Sequence, residues 1–344
     1  MKIKIGKKLD FNSNGPPLLI AEVSANHCGS KKIFLDHIIS AKRNGADLVK
    51  IQTYEENDMV VDKNYKIKSG LWRNKNLYKL YSKAKTPFKW HHAAFNLAKR
   101  NNIILFSTPF SIRAFKFLKK FNPPLYKISS FEITDLNLIK EVAKTKKPII
   151  LSTGLATLRE IKNAIKTVKL YHSKIIILHC ISGYPTPIKD INLKKIDFLK
   201  KELKTNFIGL SDHTKNIESA ASASILGISA IEKHFILNKK LKSPDSSFSI
   251  DPKELNKLRN RIQFNAKILG NENFNIKKSE LSSLFFRRSI FAIKDISKNE
   301  KLNIKNIGCF RPNIGISADN YFKVMGKKVK KNIKKNNPIH YRDI

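Results

Sequence analysis

Polar side chains follow each of eight short apolar runs in the first two-thirds of the chain. Each such residue alone has an ordinary explanation, because Ser and Thr cap helices and a single His is more often a hydrogen-bonded core residue than a ligand. Polar endings on all eight runs instead indicate one shared site. In chain order they are Glu22, Asn26 and His27; Lys50 and Gln52; Ser107 and Thr108; Lys127, Ser130 and Glu132; Ser152 and Thr153; Ser182 and Tyr184; Ser211, Asp212 and His213; and Glu232, Lys233 and His234.

These residue types suit an anionic substrate and a divalent metal ion. Buried lysines, hydroxyl groups and helix N-termini bind phosphate and carboxylate groups. His213 and His234 follow neighbouring runs, so their imidazoles could share one divalent ion. In EKHFIL (232–237), two charged residues and a histidine directly precede an apolar run. Burying these polar groups is costly unless they have partners. We interpret His234 as a metal ligand and assign Glu232 and Lys233 either a supporting role beside it or a structural one.

The apolar runs have the composition of strands buried on both faces in a parallel sheet. Amphipathic segments with helical spacing, such as 31–45, 89–102 and 158–172, lie between them. Eight alternations of strand and helix predict an α/β fold, the (β/α)8 TIM barrel, in which the carboxyl ends of the strands meet at one mouth. The predicted strands are 18–24, 48–54, 103–109, 125–130, 148–154, 175–182, 207–213 and 230–237.

Two segments interrupt this alternation. Segment 55–90 is far longer than a strand-to-helix connection of roughly 2–6 residues, which predicts an insertion over the barrel mouth. After a predicted last helix at 252–270, the polar stretch 271–284 is typical of a linker. Short strands and tight turns then predict a small β-rich domain that packs on something else. We expect a catalytic barrel over 1–270, a linker over 271–284 and the small domain over 285–344.

The formal net charge of +40 raises the possibility of nucleic-acid binding. Only 11 of the 67 basic residues are arginine, whereas recognition of bases and phosphates favours the bidentate arginine fork. The lysines are also spread along the whole chain. We therefore expect no nucleic-acid partner.

Other compositional signals point to a protein of the cytoplasm. No apolar run approaches the ~20 residues of a membrane helix, and the N-terminal stretch lacks the apolar block of a signal peptide. Cys28, Cys180 and Cys309 lie far apart without CxxC spacing, which favours reduced thiols over disulfides or a cysteine zinc site. We expect no membrane partner.

Eight motifs resemble, in order and spacing, those of the sialic acid synthase family. The C-terminal segment resembles that family's antifreeze-like SAF domain, and LWRNKNLYKLYSKAKTPFKWH (71–91) and SPDSSFSIDPKEL (243–255) resemble its pseudaminic acid branch. Three positions depart from the family pattern. Cys28 stands where the family usually has a polar residue, RPNIG stands where it has RPGxG, and Ser182 stands where sialic acid synthases commonly have Asn. The motifs are IAEVSANH, VKIQTY, FSTPF, YKISSFE, PIILSTG, GYPTP, GLSDHT and IEKHF.

The resemblance implies condensation of phosphoenolpyruvate with the open-chain aldehyde of an acetamido sugar, which gives a nonulosonic acid and phosphate. For this branch the sugar would be 2,4-diacetamido-2,4,6-trideoxy-altrose. N-acetylmannosamine or a legionaminic acid precursor are alternative acceptors. A non-catalytic sugar- or nucleic-acid-binding protein is an alternative of another class, because fold alone does not guarantee chemistry.

The same resemblance implies a role for each site residue. Mn²⁺ or Mg²⁺ on His213 and His234 would polarise the aldehyde, and Glu22 and Glu132 would stabilise charge and move protons. Arg311 of the partner subunit would reach the sugar, since the family resemblance implies a domain-swapped homodimer. Phosphoenolpyruvate would be held by Lys50, Thr108, Lys127, Ser130, Ser152, Ser182 and Ser211, and the sugar would face Gln52, Tyr184 and Asp245.

Overall fold

The computed structural model describes residues 2–6, 9–12, 15–270 and 272–344. The chain divides into two compact units, Met1–Gly270 and Asn271–Ile344. Asn271, the first residue of the predicted linker, lies outside the described residues.

The strands of the first unit form a two-stranded sheet and a barrel. They are β1 (Lys2–Ile5), β2 (Leu9–Asn12), β3 (Leu18–Glu22), β4 (Leu48–Thr53), β5 (Ile104–Pro109), β6 (Tyr126–Ile128), β7 (Ile149–Ser152), β8 (Ile175–Cys180), β9 (Ile208–Asp212) and β10 (Ala230–His234). Strands β3 to β10 are parallel and close into one barrel, in which β10 pairs with β3. The predicted (β/α)8 barrel is confirmed, and each predicted strand is present within its predicted range.

Several helices of this unit begin at residues whose side chains accept a hydrogen bond from the first turn. Ser30, Ser111, Asp135, Thr157 and Asp251 each accept a backbone N–H in this way. The helices are α1 (Lys31–Arg43), α2 (Glu56–Met59), α3 (Leu77–Ala84), α4 (Phe88–Arg100), α5 (Ile112–Lys119), α6 (Leu136–Ala143), α7 (Leu158–Lys169), α8 (Lys194–Leu203), α9 (Glu218–Ala223) and α10 (Pro252–Leu269), with 3₁₀ turns at Ile188–Asp190 and Ser246–Phe248.

Side chains along each barrel strand alternate between the barrel interior and the helix layer. On β3, Leu18 and Ile20 belong to the interior apolar cluster, and Glu22 continues the same face. On β4, Leu48 precedes Lys50 in the same way. The apolar residues of opposite parity belong to the larger core under the helices. The strand ends therefore direct every second side chain into the mouth of the barrel.

The antiparallel β1–β2 hairpin was not predicted from the sequence. Ile3, Ile5 and Phe11 of this hairpin are buried in the same cluster as the interior residues Leu18 and Ile20. The hairpin thus covers the amino-terminal end of the barrel with apolar side chains, at the end opposite the carboxyl ends of the strands.

The second unit has its own apolar core. It contains the antiparallel strands β11 (Ser289–Ala292) and β12 (Ile307–Phe310), the short helix α11 (Tyr321–Val324), and 3₁₀ turns at Ala318–Asn320 and Tyr341–Asp343. Its core is built from Ile290, Leu302, Ile316 and Ile339, among others. A further 3₁₀ helix, Lys278–Phe286, occupies much of the predicted linker. It begins there because the Glu280 carboxylate accepts the Lys277 backbone N–H.

No helix in the described part of the chain combines the length and apolar character needed to cross a membrane.

Candidate active site

A cavity of about 440 Å³ opens at the carboxyl ends of the barrel strands. Most residues predicted for the site line it: Glu22, Lys50, Gln52, Thr108, Lys127, Ser130, Ser152, Tyr184, Ser211, His213, His234 and Asp245. The barrel therefore brings together side chains as far apart in sequence as Glu22 and Asp245. Glu132, Ser182 and Arg311 are not among the lining residues.

The floor of the cavity is a cluster of buried charges centred on Glu232. Lys50 Nζ lies 2.8 Å from Glu232 Oε1 and 3.0 Å from Glu22 Oε2. Lys127 Nζ donates to both Glu232 oxygens at 2.9 and 3.1 Å, and Ser211 Oγ donates to Oε1 at 3.1 Å. We call these five residues the Glu232 cluster. One carboxylate thus holds the two lysines that were predicted to bind the anionic substrate.

Burial and mutual charge shift the pKa values inside this cluster. Burial lowers the pKa of Lys50 to about 7, because desolvation and the neighbouring Lys127 outweigh the attraction of Glu232. Burial alone would raise the pKa of Glu232, but Lys127 and Lys50 hold it well below its usual range. Glu232 is therefore ionised at neutral pH, and Lys50 is poised to gain a proton if another anion enters.

Hydroxyl groups without protein partners line the same floor. Among the described residues, Thr108 Oγ1 and Ser152 Oγ are buried and lack a hydrogen-bond partner, which is costly unless a ligand or water pairs with them. The Gly154 backbone N–H donates to Ser130 Oγ at 3.0 Å. A Cβ at Gly154 would overlap Ser130 Oγ and Ser182 Oγ, so Ser182 borders this cradle although it does not line the cavity.

The two predicted metal-ligand imidazoles lie side by side, with ring centroids 5.3 Å apart. His213 Nδ1 lies 2.9 Å from the Ile181 carbonyl oxygen, so Nδ1 carries the proton and Nε2 keeps a lone pair. His234 Nδ1 is buried without a hydrogen-bond partner among the described residues and lies 3.5 Å from Asp245 Oδ2. Burial lowers the pKa of His234 although Asp245 opposes this, which favours the neutral ligating form.

The donor set fits a divalent ion with open positions. Within the described residues, no group of three or more His, Cys, Asp or Glu side chains has the arrangement of a metal site. An ion here would therefore take two imidazoles from the protein and leave its other positions to substrate or water, unlike a closed structural zinc site. Burial lowers the pKa of His213, but Cys180, the Ile181 carbonyl oxygen and Glu232 together raise it above its usual value. Cys180 Sγ lies 3.8 Å from His213 Nδ1.

Aromatic side chains form the wall opposite the charged floor. The Tyr184 ring centroid lies 4.4 Å from that of His213, 5.2 Å from that of Phe248 and 5.9 Å from that of Trp72. Trp72 belongs to the 55–90 insertion, which also supplies Tyr65, Ile67, Leu77, Leu80 and Tyr81 to the lining. The prediction that this insertion lies over the mouth is confirmed. The cavity is consequently charged at its base and apolar along one side.

Two predicted residues lie elsewhere. Glu132 is behind the lining residue Ser129, whose Oγ donates to Glu132 Oε2, and burial raises the pKa of Glu132 to about 7. Arg311 belongs to the second unit, is exposed, and donates through Nε to the Phe286 carbonyl oxygen at 2.6 Å.

Glu232 is the residue whose importance the sequence analysis missed. It lies two positions before His234 on β10, so strand alternation alone places both side chains on the inward face. By the same rule Asp212 and Lys233 face the helix layer, where Lys233 Nζ lies 2.9 Å from Asp212 Oδ2. Asn26 has a structural role, since its Nδ2 donates to the Phe235 carbonyl oxygen at 2.8 Å and to Ser249 Oγ at 2.9 Å.

The fold and site define a (β/α)8-barrel protein whose mouth holds buried lysines, carboxylates and imidazoles. Residues 37–274 match the NeuB family and residues 287–344 match the SAF domain. The chain belongs to the NeuB family, which confirms the resemblance read from the motifs.

Individual relatives agree with this assignment. The chain is 42% identical to a pseudaminic acid synthase from Helicobacter pylori, over 96% of this chain and 98% of that one. It is 40% identical to a pseudaminic acid synthase from Campylobacter jejuni, over 94% of this chain and 96% of that one. The crystal structure of N-acetylneuraminic acid (sialic acid) synthetase from Leptospira borgpetersenii in complex with citrate matches with a TM-score of 0.74 and 31% identity, over 83% of this chain and 95% of that one.

The Glu232 cluster predicts a stability effect that phosphoenolpyruvate should partly reverse. Glu232→Gln removes the charge that holds Lys50 and Lys127 together, and breaking a buried ion pair costs about 3–5 kcal/mol. Thermal unfolding should show a clearly lower midpoint for this variant without ligand. The deficit should narrow with saturating phosphoenolpyruvate, because its negative charge replaces that of Glu232.

Glu218→Gln is the matched control, because Glu218 is exposed on α9 and such changes stay within about 0.5 kcal/mol. A Glu232→Gln protein as stable as wild type without ligand would contradict the structural role given to this carboxylate.

Proposed function

We propose that the chain condenses phosphoenolpyruvate with 2,4-diacetamido-2,4,6-trideoxy-β-L-altrose to give pseudaminic acid and phosphate. The observation that carries this proposal is the Glu232 cluster with its surrounding hydroxyls, a buried floor of two lysines at the base of a cavity with an aromatic wall. The near-full-length identity to pseudaminic acid synthases supports the choice of acceptor within the NeuB family.

Phosphoenolpyruvate would lie on the charged floor. Lys50 and Lys127 would neutralise its phosphate and carboxylate, and the buried hydroxyls of Thr108 and Ser152 would pair with its oxygens. Ser130, Ser182 and Ser211 would complete the cradle around Gly154. Because these groups are fixed by the barrel, they need little rearrangement to stabilise charge during reaction.

The proposed reaction consumes one water molecule in addition to phosphoenolpyruvate and the sugar aldehyde. The methylene carbon of phosphoenolpyruvate attacks the aldehyde carbon, the aldehyde oxygen gains a proton, and cationic character develops at the former enol carbon. Water adds there and loses one proton, which balances the proton gained by the aldehyde oxygen. The new hydroxyl then loses its proton as the C–O bond to phosphate breaks, which leaves the keto group of the product and hydrogen phosphate. Glu22, held 3.0 Å from Lys50 Nζ, would face the developing positive charge. Glu132, whose pKa is raised to about 7, would give up or accept a proton near neutral pH.

The residues at the edge of the floor fit a divalent ion. Mn²⁺ or Mg²⁺ would be held by His213 and His234, and when bound it supplies Lewis acid polarisation of the aldehyde oxygen. Asp245 accepts the Ala25 backbone N–H at 3.3 Å and would orient His234 and a sugar hydroxyl. Gln52 and Tyr184 would contact the sugar beside it.

The experiment that tests the proposal measures phosphate release from phosphoenolpyruvate with each candidate acceptor. We expect turnover with the trideoxy diacetamido sugar and a specificity constant about 10–100-fold lower with N-acetylmannosamine, since an apolar wall favours methyl and acetyl groups to roughly this extent. A preference for N-acetylmannosamine or a legionaminic acid precursor would move the chain to another branch. No phosphate release with any acceptor would indicate a non-catalytic binding protein with this fold.

Trp72→Ala should reduce the preference between these two acceptors. Its indole extends the wall beside Tyr184, so its removal should cost more with the methyl-bearing sugar than with N-acetylmannosamine. Val61→Ala is the control in the same insertion, because Val61 is fully exposed. If Trp72→Ala lowers the specificity constant equally for both acceptors, the aromatic wall does not determine acceptor specificity.

Metal removal should abolish turnover. We expect chelation with EDTA to stop phosphate release, Mn²⁺ to restore it, and purified His234→Ala to remain folded but inactive. Circular dichroism and thermal unfolding control for folding. Full activity of His234→Ala in the presence of EDTA would overturn the metal assignment.

The proposed assembly is a homodimer in which Arg311 of the partner subunit completes each barrel. In the second unit Phe310, Phe322 and Tyr341 are exposed, so this unit offers apolar surface that a second copy would cover.

Mixing Arg311→Ala with Glu132→Gln, after dissociation and reassociation of subunits, tests this exchange. Each variant alone should be inactive. Random pairing makes roughly half the dimers mixed with one working site each, so activity should return to about a quarter of wild type. A mixture with verified subunit exchange that stays inactive would show that each barrel uses its own SAF domain.

A further inference from the structure

A buried ion pair lies directly beside the two imidazoles but on the other side of the barrel wall. Asp212 precedes His213 in the chain, Lys233 precedes His234, and the two charged residues are register partners on β9 and β10. Both side chains are 0% exposed, and Lys233 Nζ lies 2.9 Å from Asp212 Oδ2. Their strand neighbours of the same parity, Leu210 and Ile231, belong to the apolar core under the helices.

The pair is fully hydrogen-bonded within this apolar layer. Asp212 Oδ2 accepts from Ser219 Oγ of α9 at 2.7 Å, and Asp212 Oδ1 accepts the Thr214 backbone N–H at 2.8 Å. Lys233 Nζ donates to the Thr214 carbonyl oxygen at 2.5 Å. The residues before and after His213 are therefore both tied to Lys233, the residue that precedes His234.

Stability alone does not account for this arrangement. Replacing a buried ion pair by apolar residues of similar volume is often neutral or stabilising, because desolvation offsets the attraction. Directional hydrogen bonds, in contrast, fix the backbone positions of the residues that make them. Consecutive Cα atoms are about 3.8 Å apart, so a shift of Asp212 or Lys233 is passed directly to the neighbouring imidazole.

We propose that the Asp212–Lys233 ion pair is a positioning device that holds the His213 and His234 rings at their 5.3 Å separation for binding one divalent ion. The inference rests on the metal site in the proposed function and adds two residues that do not themselves line the cavity. Partners that orient metal ligands typically change metal affinity about 10–100-fold when they are removed.

Mn²⁺ binding to the purified full-length protein tests the proposal without any turnover assay. Free Mn²⁺ is measured by electron paramagnetic resonance during titration of wild type and Lys233→Met, and thermal unfolding is recorded for both. We expect the dissociation constant for Mn²⁺ to rise at least tenfold in Lys233→Met. Asp212→Asn should behave in the same direction, and it keeps an oxygen for the Thr214 N–H if the lysine variant does not fold.

Arg259→Met is the matched control. Arg259 pairs with Asp47 and donates to the Gly45 carbonyl oxygen at 2.7 Å, just before β4 and so at the opposite end of the barrel. It should lower the unfolding midpoint and leave Mn²⁺ affinity within about twofold, since its partners are remote from the imidazoles.

These titrations separate the positioning role of the ion pair from the existence of the metal site. Wild-type Mn²⁺ affinity in a folded Lys233→Met or Asp212→Asn protein would make the pair purely structural and overturn the inference, while the metal proposal would stand. A wild-type protein that binds no Mn²⁺ would overturn the metal proposal and the inference with it.

Discussion

Two lysine ammonium groups buried at the base of a barrel are the constraint on which the rest of this structure depends. Neither lysine can keep its charge in a low-dielectric interior without a carboxylate partner. Glu232 meets that requirement for both, and Glu22 adds a second carboxylate at Lys50. The compensation is incomplete, as the pKa of Lys50 at about 7 indicates. The carboxylates therefore allow the two lysines to be buried in the folded protein, and the lysines can still bind a further anion.

The barrel supplies this floor through strand alternation. Apolar residues fill the interior below the charges, and the β1–β2 hairpin covers its lower end. The insertion between β4 and α4 then places Trp72 and Tyr81 along the open side. Charge at the base and aromatic surface along the wall match a substrate pair of one small anion and one deoxygenated, acetylated sugar.

The sequence predicted the barrel because its strands are continuous apolar runs with polar ends. It missed the β1–β2 hairpin, whose four-residue strands mix charged and apolar residues and gain their burial only from the barrel. It grouped Asp212 and Lys233 with the residues of the mouth, although strand parity places them outside. The position of Glu132 behind Ser129 depends on the turn after β6, which no periodic pattern encodes. Roles for Glu132 and Arg311 were inferred from family resemblance, and the fold of this chain alone does not assign them.

The most direct test of the incomplete charge cluster is the proton uptake that accompanies phosphoenolpyruvate binding. At pH 8 the ligand phosphate is already fully ionised, whereas Lys50, with a pKa of about 7, is mostly neutral and should gain a proton as the anion arrives. Isothermal titration calorimetry in buffers of different ionisation enthalpy should show net proton uptake on binding, up to about one proton per site. Lys50→Met should abolish that uptake. Binding of phosphoenolpyruvate to wild type without proton uptake at pH 8, or no binding at all, would contradict the account.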